Sequence, residues 1–189
     1  MEDTPFMNKF MISLILLLSL FLLNSCSLGG SRTEMLNRDN SDEIAKARLE
    51  EVINVLESRD KDALKAMFSK QALNESADFD SSAADLFDLF QGEVASWEKS
   101  SGPTVFESNS HGHKTKKISS YYYVTTDKQK YFFLMDDYPV DTDYPDNVGL
   151  YLLLVVKADD RKKIYDGDQK ILFDGDQEIT RAGIYIPLK

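Results

Sequence analysis

The chain is poor in cysteine, histidine and positive charge. Its single cysteine, Cys26, excludes an internal disulfide framework, a Cys-rich zinc site and an iron–sulfur cluster. Only two histidines are present, His111 and His113, which leaves little for His-centred catalysis or metal binding. Lys and Arg number 22 against 32 Asp and Glu, for a formal charge of −10, and this deficit argues against nucleic acid, whose phosphates need cationic side chains. The sequence contains no P-loop, dinucleotide glycine fingerprint, nucleophile elbow or zincin motif, and no serine stands in a recognisable Ser-His-Asp order. What is present suits a folded body: 189 residues, 42% hydrophobic and 29% charged, enough for one ordinary domain with a tail.

The N-terminus carries the sharpest signal. Phe10 to Leu23 is an apolar run broken only by Ser13 and Ser19, with Lys9 ahead of it. A bilayer-spanning helix needs about 20 such residues, so the run fits a secretory h-region better than a membrane span. Leu23-Asn-Ser-Cys26 follows it and resembles the bacterial lipobox: an aliphatic residue, two small or tolerated residues, then cysteine. The resemblance implies that residues 1–25 are a signal peptide and that Cys26 carries diacylglycerol. The expected partner is then the lipid bilayer, and the expected location is the extracytoplasmic face of a bacterial cell membrane. Removal of residues 1–25 leaves 30 acidic and 21 basic side chains. A body of that sign is repelled by anionic lipid, so covalent fat would have to hold it. Residues 26–40 are polar and Gly/Ser-bearing, which predicts a flexible tether before a domain over 41–189.

In the body, helical periodicity precedes strand periodicity. Asn40 with Glu43 reads as a capped helix start. Ala45, Leu49, Val52, Ile53 and Leu56 then make one apolar stripe. Asp60 can cap a second helix carrying Leu64, Met67 and Phe68, and Ala83–Gln91 reads as a third, stopped by Gly92. Strands are expected over Glu93–Lys99, Thr104–Asn109, Lys116–Thr126, Lys130–Asp136, Leu150–Lys157 and Gly183–Pro187, with a hairpin turn at Thr126–Gln129. Leu150–Val156 is apolar apart from the Tyr151 hydroxyl, which predicts a central strand buried on both faces. A short echo, Asp166-Gly-Asp-Gln169 and Asp174-Gly-Asp-Gln177, reads as two turns flanking a strand at Lys170–Phe173. The expected class is α+β: about three N-terminal helices packed on a curved, mostly antiparallel sheet.

The first helix followed by Glu57-Ser-Arg-Asp60-Lys-Asp-Ala-Leu64-Lys-Ala-Met-Phe68 resembles the opening of nuclear-transport-factor-2-like domains, which are cystatin-like α+β cones. Trp97-Glu-Lys-Ser-Ser-Gly-Pro103, Tyr123-Val-Thr-Thr-Asp127, Val148-Gly-Leu150 and Gly183-Ile-Tyr-Ile-Pro187 are similar to one branch, a domain of unknown function found on lipoproteins of Gram-positive anaerobes. The resemblance runs from about Asp42 to Pro187. It implies a pocket between helices and sheet, and dimerisation through the sheet is common among cone-fold relatives, so a homodimer is a further expectation.

Function reads most simply as a non-enzymatic domain that binds a small molecule or an envelope protein, with no cofactor and no metal. Trp97, Tyr123, Phe133 and Tyr151 are the pocket candidates, chosen as large rings on strands. The alternative is a cone-fold pocket enzyme of isomerase, dehydratase or hydrolase type, acting on a small organic molecule. That requires a carboxylate in the cone with its pKa raised by desolvation, for which Asp136 and Asp127 are the sequence candidates, both read as hairpin-end residues. His111 and His113 read as an exposed turn without a third metal ligand. Asp141, Asp143 and Asp146 lie in an acidic loop whose spacing fails the EF-hand pattern.

Overall fold

The computed structural model describes residues 30–163, 165–166, 169–170 and 181–186. The chain divides into two compact units, Met1–Asn40 and Ser41–Lys189. Of the first, the described part is helical backbone from Gly30. Cys26 and the apolar run lie outside the described residues.

Helix α1 spans Gly30–Ser58, so Asn40 is inside a helix and does not cap one. From Ser41 onward the expected stripe is the buried face: Ala45, Leu49, Val52, Ile53 and Leu56 are all shielded from solvent. The end of α1 is fixed by local hydrogen bonds. Arg59 adopts φ 54°, its N–H donates to the Leu56 carbonyl, and the Asp60 N–H reaches back to Val55. This is the double closure of a Schellman stop, made without glycine. Asp60 then turns to its other task, accepting from the Ala63 N–H at 2.9 Å to start α2, Lys61–Met67. Ser69 caps α3, Lys70–Glu75, through the Ala72 N–H at 3.0 Å. Asp78 caps α4, Phe79–Leu89, through the Ser81 N–H at 2.9 Å. The described residues thus hold four α-helices where about three were expected. Helix α3 is one and a half turns long, too short to show a period, and α4 starts four residues before the expected Ala83.

The strands are β1 (Val94–Lys99), β2 (Thr104–Ser110), β3 (His113–Thr126), β4 (Lys130–Asp141), β5 (Gly149–Lys157), the short hairpin of β6 (Tyr165–Asp166) and β7 (Gln169–Lys170), and β8 (Gly183–Tyr185). The main sheet has the order β1-β3-β4-β5-β8, and β2 also pairs with β3. Its pairings are antiparallel except β5–β8, so the sheet is mixed. The β3–β4 turn sits at the expected residues, where the Thr126 hydroxyl accepts from the backbone N–H groups of Lys128 and Gln129. Asp166 and Gln169, the ends of the first Asp-Gly-Asp-Gln, pair with each other across β6 and β7, and the two residues between them lie outside the described residues. The second lies outside the described residues.

The fold is α+β, with the helices on one face of the sheet. Tyr122, Phe133, Met135, Leu153 and Val155 pack against the helices, while Tyr121, Phe132, Leu134, Leu152 and Leu154 form a second apolar cluster on the opposite face. Strand β5 contributes to both, as its composition requires. The second cluster is buried within the single chain, and the Arg161 guanidinium lies 4.5 Å from the Phe132 ring centre.

Strand irregularities decide where polar groups end up. The β4–β5 register slips between Asp136 and Asp137, opposite Leu152 and Leu150, leaving Tyr151 as an extra residue on β5. A second slip falls between Lys116 and Ile118 on β3, opposite Val140 and Asp137. At the entry to β5, Gly149 takes φ +125°; a Cβ there would lie 3.0 Å from the Ser69 backbone N and 3.1 Å from the Met67 carbonyl oxygen. Only glycine permits this approach, which lets the Ser69 N–H donate to the Leu150 carbonyl at 2.8 Å and ties the α2–α3 junction to the sheet.

Candidate functional site

The four ring residues singled out from sequence do not converge. Phe133 is fully buried against the helices, edge-on to Phe90 at 6.0 Å. Trp97 flanks the same core and meets the Tyr122 ring edge-on at 5.6 Å. Tyr123 is on the opposite face, because it pairs with Phe132 and not with Phe133. Its ring carries Lys130 at 4.6 Å, and its hydroxyl accepts from Arg161 Nη1 at 2.7 Å. Tyr151, on the β5 bulge, stacks edge-on with Tyr138 at 6.1 Å and donates its hydroxyl to Glu75 Oε2 at 2.6 Å. Of the four, Tyr151 is tied through Glu75 to a surface opening.

That opening is a groove of about 460 Å³ between the α3–α4 connection and β8. One wall is Glu75, Ser76, Ala77 and Asp78 with Ser82 and Asp85 of α4; the other is Arg181, Ala182, Ile184, Tyr185 and Ile186. The volume falls in the range of small-molecule sites. Helix caps explain why the first wall is polar. Asp78 must sit at the start of α4 to satisfy the Ser81 N–H, and that places its carboxylate at the rim. Gly183 explains how the second wall comes so close: at φ +83°, a Cβ would fall 2.8 Å from the Ser76 hydroxyl oxygen.

Three acidic residues and one arginine line the groove, giving it a negative balance. Glu75 accepts from the Tyr151 hydroxyl and from Gln71 Nε2 at 2.7 Å, and these hydrogen bonds hold its carboxyl below the ordinary glutamate value. The effect on Tyr151 is opposite: burial, and then the bond to Glu75, push the phenol up to about 12. The Arg181 guanidinium lies 4.6 Å from the centre of the Tyr185 ring, a cation–π distance.

The remaining charged groups form separate structures. Asp136 is not at a hairpin end, because β4 runs on to Asp141; it is buried in mid-strand and paired with Lys117 at 3.1 Å on the face away from the helices. Asp127 is in the exposed β3–β4 turn and accepts from the Glu93 N–H at 2.9 Å. Asp141 organises the acidic loop by accepting from the Asp143 and Tyr144 N–H groups and from Asn147 Nδ2. His111 occupies the β2–β3 turn at φ 52°, and His113 contacts Asp143. Among the described residues, no three His, Cys, Asp or Glu side chains come together to hold a metal ion.

One pair was not foreseen. Asp137, on the helix-facing side of β4, lies 3.2 Å from Arg48 Nη2 of α1. Its side chain is 5% exposed, and neither carboxylate oxygen, nor Arg48 Nε, has an aligned hydrogen bond. Burial pushes the Asp137 carboxyl up, against the pull of the Arg48 charge. Sequence offered Asp136-Asp137 as two adjacent acids; strand alternation from Phe133 and Met135, which face the helices, turns Asp137 to the helices and Asp136 away.

Among known families, a model described as a domain of unknown function (DUF5104) matches residues 51–158, more than half of the chain. The match covers Glu75, Asp78 and Asp85 but ends before the β8 wall of the groove. No curated protein matches the chain.

Proposed function

Starting from the fact that the chain belongs to the DUF5104 family of domains of unknown function, we propose that it is a lipid-anchored binding module on the extracytoplasmic face of a bacterial membrane. Diacylglycerol on Cys26 supplies the anchor. A nuclear-transport-factor-2-like cone, without enzymatic activity, offers the groove between the α3–α4 connection and β8 to a small polar molecule. The groove carries the binding reading, because it combines ligand-sized volume, charged walls and an aromatic side chain in one open concavity. The cone reading is supported by helices confined to one face of a largely antiparallel sheet and by the bulges that bend its strands. The anchor reading is supported by the apolar run and the Leu-Asn-Ser-Cys motif. Two acyl chains hold a protein where one does not, at about 0.8 kcal/mol per buried methylene.

Metabolic labelling with radioactive palmitate and membrane fractionation test the anchor. The wild-type chain takes up label and sediments with membranes, whereas Cys26→Ala takes up none and is released. An unlabelled wild-type chain, or a labelled Cys26→Ala variant, rejects it.

Asp137 favours a second reading, a pocket enzyme of isomerase, dehydratase or hydrolase type acting on a small organic molecule. A buried carboxylate with a raised pKa is the feature such chemistry needs in a general acid or base. Carboxyl-carbon NMR against pH tests it: Asp137 must titrate above the ordinary aspartate range, and an ordinary or depressed value removes this reading.

A further inference from the structure

We infer that the open edge of β2 takes the same strand of a second copy of this chain, paired antiparallel about Phe106. The surface is separate from the groove and independent of what the groove binds.

Strand β2 ends the sheet on one side. Among the described residues it pairs with β3 alone, through seven opposed positions from Thr104 with Ser119 to Ser110 with His113, without a slip. The backbone groups on its other side face solvent, and six of its seven residues are exposed. A row of alternating N–H and C=O groups is matched by one kind of partner, another extended chain. Sheets ordinarily guard such an edge with a bulge, Lys, Pro or a cover. Strand β1, on the same side of β3 farther along, is guarded in this way. Its register slips between Val94 and Ser96, its Val94 N–H donates to Glu57 Oε1 at 2.8 Å, and Glu98 and Lys99 are paired with Lys130 and Asp42. Thr104–Ser110 holds no Lys, Arg or Pro. Near its middle stands Phe106, 63% exposed. Phe106 is opposite Lys117, whose ammonium pairs with Asp136, so the ring lies on the face away from the helices.

Three observations select a second copy as the occupant. The apolar cluster on that face of the sheet is already buried within the single chain, so the edge and not the face is left to pair. The edge is close to neutral on a chain of formal charge −10, because its lone acid, Glu107, lies 3.8 Å from Lys116 Nζ. Two acidic bodies meet there with little repulsion, and a basic partner gains nothing from it. The strand is also self-complementary. A two-fold axis at Phe106 opposes the two rings, sets Thr104 against Ser108 and Val105 against Glu107, and keeps the two Glu107 carboxylates from standing opposite each other. An axis at Val105 loses the ring pair, and one at Glu107 also opposes like charges.

The experiment is disulfide trapping in the full-length Cys26→Ser chain in non-ionic detergent, with single cysteines introduced and oxidised by copper phenanthroline. Directly opposed residues have Cα atoms about 4.5–5.5 Å apart, within a disulfide's reach, whereas four residues along a strand span about 13 Å, beyond it. Phe106→Cys forms a covalent dimer at least about tenfold faster than Tyr144→Cys, a comparably exposed position on another loop. Thr104→Cys and Ser108→Cys do not link to themselves but link to each other when mixed. Sedimentation velocity of the Cys26→Ser chain shows a monomer–dimer equilibrium that Phe106→Lys weakens at least about tenfold, one ring pair giving way to two opposed charges, and that Tyr144→Lys leaves unchanged. Both substituted side chains are exposed, and circular dichroism confirms that the variants are folded.

Equal trapping at Phe106 and Tyr144 is random collision and overturns the inference. Thr104→Cys linking to itself places the axis elsewhere and overturns the pairing about Phe106. A dimer that survives Phe106→Lys is held by another surface, and a chain that stays monomeric at every concentration has no such contact; either result overturns the inference and leaves the groove and the anchor untouched. When Phe106→Cys is oxidised in intact cells, an adduct with a mass other than two chains marks a different strand on this edge and overturns the second copy.

Discussion

Arg48→Met should destabilise the domain far more than Arg48→Met combined with Asp137→Leu. The Arg48 Nη2–Asp137 Oδ1 separation of 3.2 Å corresponds to about 5 kcal/mol of attraction at an effective dielectric constant of about 20. Desolvation of Asp137 outweighs the pull of that guanidinium, since its carboxyl is pushed up despite the neighbouring charge. Removing Arg48 alone strands a buried carboxylate, for which losses of about 3–5 kcal/mol are usual. A value near about 3 kcal/mol is expected here, because the Arg48 side chain is 22% exposed. The companion contact from Arg48 to Glu51 is with a largely exposed carboxylate and contributes little. With both charges replaced by apolar groups, the double variant should come within about 1 kcal/mol of wild type, or exceed it. Urea unfolding followed by far-ultraviolet circular dichroism, with m-values compared, reads this directly. The pH dependence supplies a second check. A raised folded-state pKa means that the native protein binds the proton more readily than the unfolded chain, so stability falls as pH rises from the unfolded to the folded value. Loss of Arg48 widens that window upward, so the single variant should regain stability on acidification from neutral pH. Equal losses in the single and double variants, or no pH recovery, would refute a cost located in the Asp137 charge.

Three further outcomes follow from the packing. Gly149→Ala forces a Cβ to within 3.0 Å of the Ser69 backbone at φ +125° and should cost about 2–4 kcal/mol in urea unfolding. Tyr131→Phe removes a hydroxyl that accepts from the Gln91 N–H at 2.8 Å and donates to the Leu89 carbonyl at 2.9 Å; a loss of about 1–2 kcal/mol is expected, with faster amide exchange at the end of α4. For Asp141, burial works to raise the carboxyl, but hydrogen bonds from Asn147, Tyr144, Asp143 and Thr115 hold it below the ordinary value. Its stabilisation is therefore present above the unfolded aspartate pKa and lost as pH falls through the lower folded value, so Asp141→Ala should flatten the acid limb of a stability–pH curve.

Sequence alone determined the periodic parts of the molecule. The stripe from Ala45 to Leu56, the cap at Asp60, the β3–β4 turn and the doubly buried β5 follow from local chemistry, and they were enough for an α+β assignment. Short or irregular features escaped. Helix α3 has six residues and depends on a Ser69 cap, and the extension of β4 through Asp141 crosses Pro139 and a bulge that obscure alternation. Tertiary structure alone decided the site. Adjacent strand residues face opposite ways, so a single step of register separated Tyr123 from Phe133 and chose Asp137 over Asp136 to meet Arg48. The groove joins residues 75–85 to residues 181–186, segments about a hundred positions apart. No period or motif encodes that meeting, because it depends on the parallel placement of β8 beside β5 and on a glycine that lets the two walls approach.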